Sequence, residues 1–226
     1  MRSQDVRDAA AAGRSPRGDR AGGTREAILT AAERLFAEHG VFAVSNRQVS
    51  DAAGQGNNTA VGYHFGTKSD LIRAIVRRHN EAVERRCQQM VDRLGDDAVL
   101  RDWVEALVRP LAMHLTELGS PTWYARFSAQ LMPDPAHRDL VSEESLGSSS
   151  VLHIIEGLNR CLPDMPPEVR VERNAMARQL IVGMFAERER ALAAGEATAY
   201  PDWEAMATSL IDAISGLMQA PVTPSE

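Results

Sequence analysis

Between Ser45 and Asp70 the chain reads SNRQVSDAAGQGNNTAVGYHFGTKSD, and helix-start signals at both ends of this stretch, with a glycine between them, tightly restrict what it can fold into. Ser45 followed by Gln48 is a capping box, in which hydroxyl and amide each cover an orphan N–H at a helix start. It predicts a helix from Asn46 to about Ala53. Gly54 can take the left-handed conformation that ends a helix and turns the chain. A second short helix then fits Asn57 or Asn58 to His64, broken by Phe65-Gly66. Thr67 with Asp70 three residues on resembles another capping box, with Asp in place of the usual Glu or Gln, and starts a third helix. Two short helices joined by a tight glycine turn form a helix-turn-helix, whose second helix enters the major groove of DNA.

Side-chain chemistry points the same way. The second helix carries Asn57, Asn58, Thr59, Tyr63 and His64 where a buried helix would carry Leu or Ile. Asn pairs bidentately with adenine edges, and Thr and Tyr hydroxyls suit phosphate oxygens. One of the two asparagines has a plainer use as a helix cap. The candidate DNA-facing set is Ser45, Arg47, Gln55, Asn57, Asn58, Thr59, Tyr63, His64 and Lys68.

Three segments in order, TREAILTAAERLFAEHG, SNRQVSDAAG and YHFGTKSDLI, resemble the N-terminal domain of the tetracycline-repressor (TetR) family of transcriptional regulators, over roughly Thr24 to Ile75. The resemblance implies phosphate contacts from Ser45, Thr59, Tyr63, His64 and Lys68, with Arg47 and the start of the reading helix near the bases. It also implies a homodimer on a palindromic operator and a helical body that senses a small molecule. Two positions depart from the family pattern. Gly62 stands where a Tyr is common, and the stretch Gln55 to Thr59 is one residue longer than usual.

Charge separates the two ends of the chain. The net charge is −6, yet residues 1–94 hold 15 Lys and Arg against 11 Asp and Glu, whereas residues 95–226 hold 10 against 20. DNA is therefore expected to meet the first part, with the acidic remainder held away from phosphates. No apolar run approaches the roughly 18 residues of a membrane span, and the N-terminus lacks a hydrophobic signal core, so a cytoplasmic protein with no membrane partner is expected. Cys87 and Cys161 are the only cysteines, in no metal-ligand or disulfide spacing. No cofactor and no metal are expected. Gly-x-Ser-x-Gly, a phosphate loop and His-Glu-x-x-His are absent, which leaves an enzyme with little support. A DNA-binding or architectural protein without a small-molecule ligand remains the alternative.

The expected fold is all-α: a disordered basic arm over residues 1–23, a DNA-binding domain over 24–70, and a helical regulatory and dimerisation domain over 71–226. The arm carries Arg2, Arg7, Arg14, Arg17 and Arg20 among Pro, Gly and three Asp, with few bulky apolar residues. Thr24 caps a helix running to about His39, and a rod from Lys68 to Leu94, about 40 Å long, leads into the body. Further helical patterns span 98–118, 121–132, 136–162, 167–194 and 201–218, with Gly147-Ser148-Ser149-Ser150 either breaking the third or forming a polar turn within it. The last two carry wide apolar faces that pair either across a dimer or within one chain. The middle helices gather Trp103, His114, Trp123, Tyr124, Phe127 and His153, which is the composition of a pocket for an apolar or amphipathic effector.

Overall fold

Apolar residues at three- and four-residue spacing dominate the chain, and the computed structural model, which describes residues 16–56 and 59–223, is helical throughout with no strand among them. Ten helices follow in order: α1 (Pro16–His39), α2 (Asn46–Ala52), α3 (Ala60–Phe65), α4 (Lys68–Val91), α5 (Leu100–Leu118), α6 (Tyr124–Leu131), α7 (Pro135–Leu146), α8 (Ser149–Cys161), α9 (Pro167–Ala194) and α10 (Trp203–Gln219). The expected arm falls largely outside the described residues. Residues 16–23 differ from expectation, because α1 begins at Pro16 instead of at Thr24. Proline is accepted in a first helical turn, and a helix already nucleated over 24–39 extends backwards for little added entropy.

The expected helix over 136–162 is two helices. Ser148 is the reason: its hydroxyl accepts a hydrogen bond from Val151 N at 3.1 Å and starts α8 afresh.

Ile28, Leu29, Ala32 and Phe36 of α1 close on Val41, Val44, Val49, Val61, Leu71, Ile72 and Ile75, making a small core beneath α2 and α3. Each aliphatic side chain removed from water in this way contributes about 1.5–3 kcal/mol. In the second part α5 is central and packs on α4, α8 and α10, while α6 lies between α1 and α9. Phe127 of α6 is fully buried and stacks on Phe36 of α1, with ring centroids 6.1 Å apart. The two parts therefore share one continuous core, and residues 70–71, where the domains were expected to divide, lie in the first turn of α4.

The apolar faces of α9 and α10 have different fates. On α10, Trp203, Met206, Leu210, Ile211, Ile214 and Met218 are buried within the chain. On α9, Phe185 turns inward, whereas Met176, Leu180 and Met184 face outward at 49%, 37% and 42% exposure.

Candidate nucleic-acid interface

Short-range hydrogen bonds set the geometry of α2 and α3. Ser45 N donates to Gln48 Oε1 at 2.8 Å and Gln48 N donates to Ser45 Oγ at 3.3 Å, completing the capping box. Gly54 turns the chain at φ 68°. Gln55 folds back on that turn, its Nε2 donating to Ala53 O at 3.0 Å, so this expected DNA contact is engaged locally. Asn57 and Asn58 lie outside the described residues. Thr59 is the N-cap of α3, whose Ala60 and Val61 anchor it in the core. The helix starts at Ala60, later than the asparagines suggest. Gly66 ends it at φ 84°, and Thr67 with Asp70 forms the next capping box, which holds the Asp70 carboxylate below its usual pKa.

What this leaves on the surface is polar and aromatic. Tyr63 is 86% exposed, with its ring edge-on to His64 at 5.1 Å. Arg47 is exposed, and its Nε lies 3.9 Å from Asp51, a separation at which the guanidinium keeps its freedom to meet another anion. Lys68 is placed differently. Its Nζ donates to Val44 O at 2.6 Å and lies 5.6 Å from the Phe36 ring centroid, and partial burial lowers its pKa.

The six residues expected to form an effector pocket are not gathered in one cavity. Tyr124, His114 and Phe127 are buried where α1, α4, α5 and α6 meet. Trp103 packs between His153, at 5.6 Å, and Gly157, where a Cβ would lie 2.2 Å from the indole. His153 itself is exposed, and Trp123 flanks α1 and the end of α2. A separate cleft of about 360 Å³ opens between α4 and the α7–α8 turn, lined in part by Arg77, Asn80, Glu84, Glu144, Ser148 and Val151. It communicates with the aromatic cluster through Tyr124 Oη, which donates to Asn80 Oδ1 at 3.4 Å.

Beneath the cleft runs a buried polar chain in which Glu33, Arg78 and His79, absent from the expected sets, join His114 and Tyr124. Glu33 of α1 receives Arg78 and, at 2.9 Å, His79 Nε2. His79 Nδ1 lies 2.8 Å from His114 Nε2, and the Tyr124 ring stacks on the His79 ring at 3.9 Å. One hydrogen bond therefore joins the two imidazoles, and Glu33 holds the other nitrogen of His79. Burial, and then the proximity of His79, lowers the His114 pKa to about 4. The chain ties α1 to α4 and α5. Its sequence signal was register: Glu33 and His79 fall on the apolar stripes Leu29-Ala32-Phe36 and Ile72-Ile75-Val76, where a polar side chain requires a buried partner. No group of three or more His, Cys, Asp and Glu side chains among the described residues is placed to hold a metal ion. Among the described residues no helix is long and apolar enough to cross a membrane.

Comparison with known proteins matches both parts. Residues 28–75 fit the model for bacterial regulatory proteins of the tetR family, and residues 105–216 fit a tetracyclin repressor-like C-terminal domain. The HTH-type transcriptional repressor AcnR of Corynebacterium glutamicum is 38% identical over 60 residues, covering 26% of this chain and 31% of that protein. AcnR of Corynebacterium efficiens matches to the same extent, so the similarity spans under a third of these relatives' length. Among solved structures, a tetR-family regulatory protein from Rhodococcus RHA1 aligns with a TM-score of 0.57 at 16% identity, over 88% of this chain and 98% of that one. NalD, the secondary repressor of the MexAB-OprM multidrug efflux pump in Pseudomonas aeruginosa, aligns with a TM-score of 0.56 at 24% identity, over 86% and 95%. Regulators of this kind are DNA-binding transcription factors and not enzymes. With its capped helix-turn-helix and its helical body each matched, the chain belongs to the TetR family of bacterial transcriptional regulators.

Proposed function

We propose that this regulator is a homodimeric repressor that binds a palindromic operator and is released by a small-molecule effector. The observation that carries the reading is the contrast between α10, whose apolar stripe is spent inside the chain, and α9, whose Met176, Leu180 and Met184 stay uncovered. A second copy of the chain is the natural cover for that face, with Ala175, Met176, Leu180 and Leu217 lining a groove upon it. Twofold pairing through α9 gives the dimer two reading helices, and the operator then mirrors that symmetry with half-sites about one helical turn, roughly 34–36 Å, or a multiple of it apart. Within each half-site Arg47, Asn57 and Asn58 read bases, while Ser45, Thr59, Tyr63 and His64 meet phosphates.

The effector enters the cleft between α4 and the α7–α8 turn. Arg77 and Glu144 of its lining are ion-paired at 2.7 Å, so an occupant that separates them alters how α7 holds α4. Release requires the effector to prefer the non-binding arrangement, with a coupling of about 1–3 kcal/mol.

The decisive experiment combines footprinting with sedimentation. Wild-type protein is expected to protect an inverted repeat as a dimer, and Leu180→Glu to sediment as a folded monomer with weakened binding. A protected direct repeat, or a monomer with full affinity, overturns the reading. Alanine at Asn57 or Asn58 is expected to lower the operator-to-random affinity ratio by about 1–3 kcal/mol at the position each reads.

A further inference from the structure

We propose that Asn80 is the specificity-determining contact of the cleft between α4 and the α7–α8 turn, and that its amide takes the carbonyl oxygen of an effector carrying no negative charge. The proposal rests on that cleft being the effector site.

A side-chain amide holds an acceptor and two donors on one planar group. In Asn80 the two ends have different fates. Oδ1 accepts from Tyr124 Oη at 3.4 Å, whereas Nδ2 is buried and has no hydrogen-bond partner among the described residues. A buried donor left unpaired carries its full desolvation cost, and an occupant that offers it an oxygen removes that cost. Asn80 lines a cleft of about 360 Å³, which lies within the roughly 300–1,000 Å³ of small-molecule sites. In such sites a few placed polar groups orient a ligand whose remaining surface meets apolar walls, supplied here by Val83 and Val151.

The charge of the lining decides which kind of oxygen is accepted. Glu84 is half-buried and receives Ser148 Oγ, Ser150 Oγ and Ser150 N, so among the described residues its hydrogen-bond donors are neutral. Glu81 adds an exposed carboxylate. Arg77 is the cation of this lining, and it is committed to Glu144 at 2.7 Å. Hydrogen bonds from Arg77 and Arg73 hold the Glu144 carboxyl below its ordinary pKa, so that pair is fully charged and mutually satisfied. A carboxylate or phosphate entering here would meet Glu81 and Glu84 with no free cation of the lining to offset them. A carbonyl oxygen meets the Asn80 donor without that repulsion.

The contact also stands close to the joint between the two parts of the chain. The amide that would hold the occupant already holds Tyr124 Oη, and the Tyr124 ring stacks on His79, which Glu33 of α1 binds. One residue thus faces the cleft at one end and the buried chain at the other.

The test is calorimetric titration of the full chain with cinnamamide and with cinnamate, its anionic isostere, beside NMR of the side-chain amides. Wild-type protein is expected to bind cinnamamide with a shift of the Asn80 amide resonances, and to bind cinnamate at least about tenfold more weakly. Asn80→Asp keeps the acceptor for Tyr124 and removes the donor, and it is expected to weaken cinnamamide about tenfold. Asn80→Leu is expected to do the same, and it decides if Asn80→Asp does not fold, as circular dichroism reports. Val151→Trp fills the cleft and is expected to abolish binding. Equal binding of the two probes, no binding of cinnamamide by wild-type protein, or undiminished binding by the Asn80 variants overturns the proposal. Where the Asn80 variants bind normally but Val151→Trp does not bind, the cleft stands as the site and Asn80 alone is removed. Binding that Val151→Trp leaves intact overturns the proposal together with the cleft. Cinnamamide held through Asn80 that leaves affinity for a duplex selected from a random pool unchanged supports the contact and counts against release from DNA through this cleft.

Discussion

The reading element and the helical body are fastened over different sequence distances. In the reading element Ser45 bonds Gln48, Thr67 bonds Asp70 and Gln55 bonds Ala53, all within three residues, and the longer bond from Lys68 to Val44 O, across 24, still has both partners inside the element. In the body Arg109 reaches Glu204 across 95 residues, Arg73 reaches Glu144 across 71, and the buried Glu189 carboxylate of α9 accepts Arg126 N across 63. Bonds of the first kind survive a repacking elsewhere, because both partners travel together. Bonds of the second kind are what a repacking changes. A rearranged body thus moves the reading element as a unit, and in a dimer such movement alters the spacing of two elements whose individual shapes persist. The joint is made where α6 meets α1 and where Glu33, His79 and His114 link α1, α4 and α5.

Breaking the joint should have the largest effect. Phe127 is fully buried and stacks on Phe36 across it, so Phe127→Ala is expected to lower stability by about 3–5 kcal/mol through lost burial and the cavity left behind. Thermal unfolding followed by circular dichroism and by the fluorescence of Trp103, Trp123 and Trp203 should remain one shared transition at a lower temperature. A transition that splits, with the tryptophans melting before the helices of the first part, would mean that the two regions do not share a core.

The same contrast explains what could be read from the residues. Capping boxes at Ser45 and Thr67, the glycine turn at Gly54 and the stripe of α1 are set by neighbours within one or two turns, and the structure has them where the sequence puts them. Gly147 and the three serines were equally readable as a break or as a turn inside a helix, and the hydrogen bond from Val151 N to Ser148 Oγ marks the fresh start of α8. Nothing local distinguishes a stripe spent inside the chain from one left outside, so the fates of α9 and α10 required the packing of α5 against α10. The aromatic group was no easier to place: Trp103 and Tyr124 have the composition of a pocket wall, and the structure puts one above Gly157 and the other on His79. Lys68 was legible as a cation at a helix start, and its inward direction was not.

A second way to sharpen the comparison is acid. Folded protein keeps His114 neutral down to about pH 4, whereas the unfolded chain takes up its proton near the ordinary value of 6.5. Between those values the unfolded state binds more protons, so the stabilising contribution is complete above about pH 6.5 and is lost as pH falls towards 4, a decline of about 2–3 kcal/mol over the window. His114→Gln, whose amide can still hydrogen-bond His79, should be less dependent on pH. Urea unfolding at a series of pH values measures the difference between the two proteins. Equal slopes for both would remove His114 from the account.

The smallest expected effect tests the locality itself. Ser45→Ala removes the hydroxyl that accepts Gln48 N and should lower stability by about 1 kcal/mol, within the range of N-cap losses. The lost bond joins partners three residues apart, so its consequence should be confined to the start of α2. Ser45 and His114 share no hydrogen-bond partner, one lying on the exposed reading element and the other in the buried joint. Their effects should accordingly add to within about 0.3–0.5 kcal/mol in the double variant Ser45→Ala, His114→Gln. Denaturant unfolding of the four proteins of that cycle gives the coupling directly. A coupling well above that range would mean that the cap is strained by the packing of the body, in which case the reading element does not move as a unit and its shape, besides its spacing, is open to regulation.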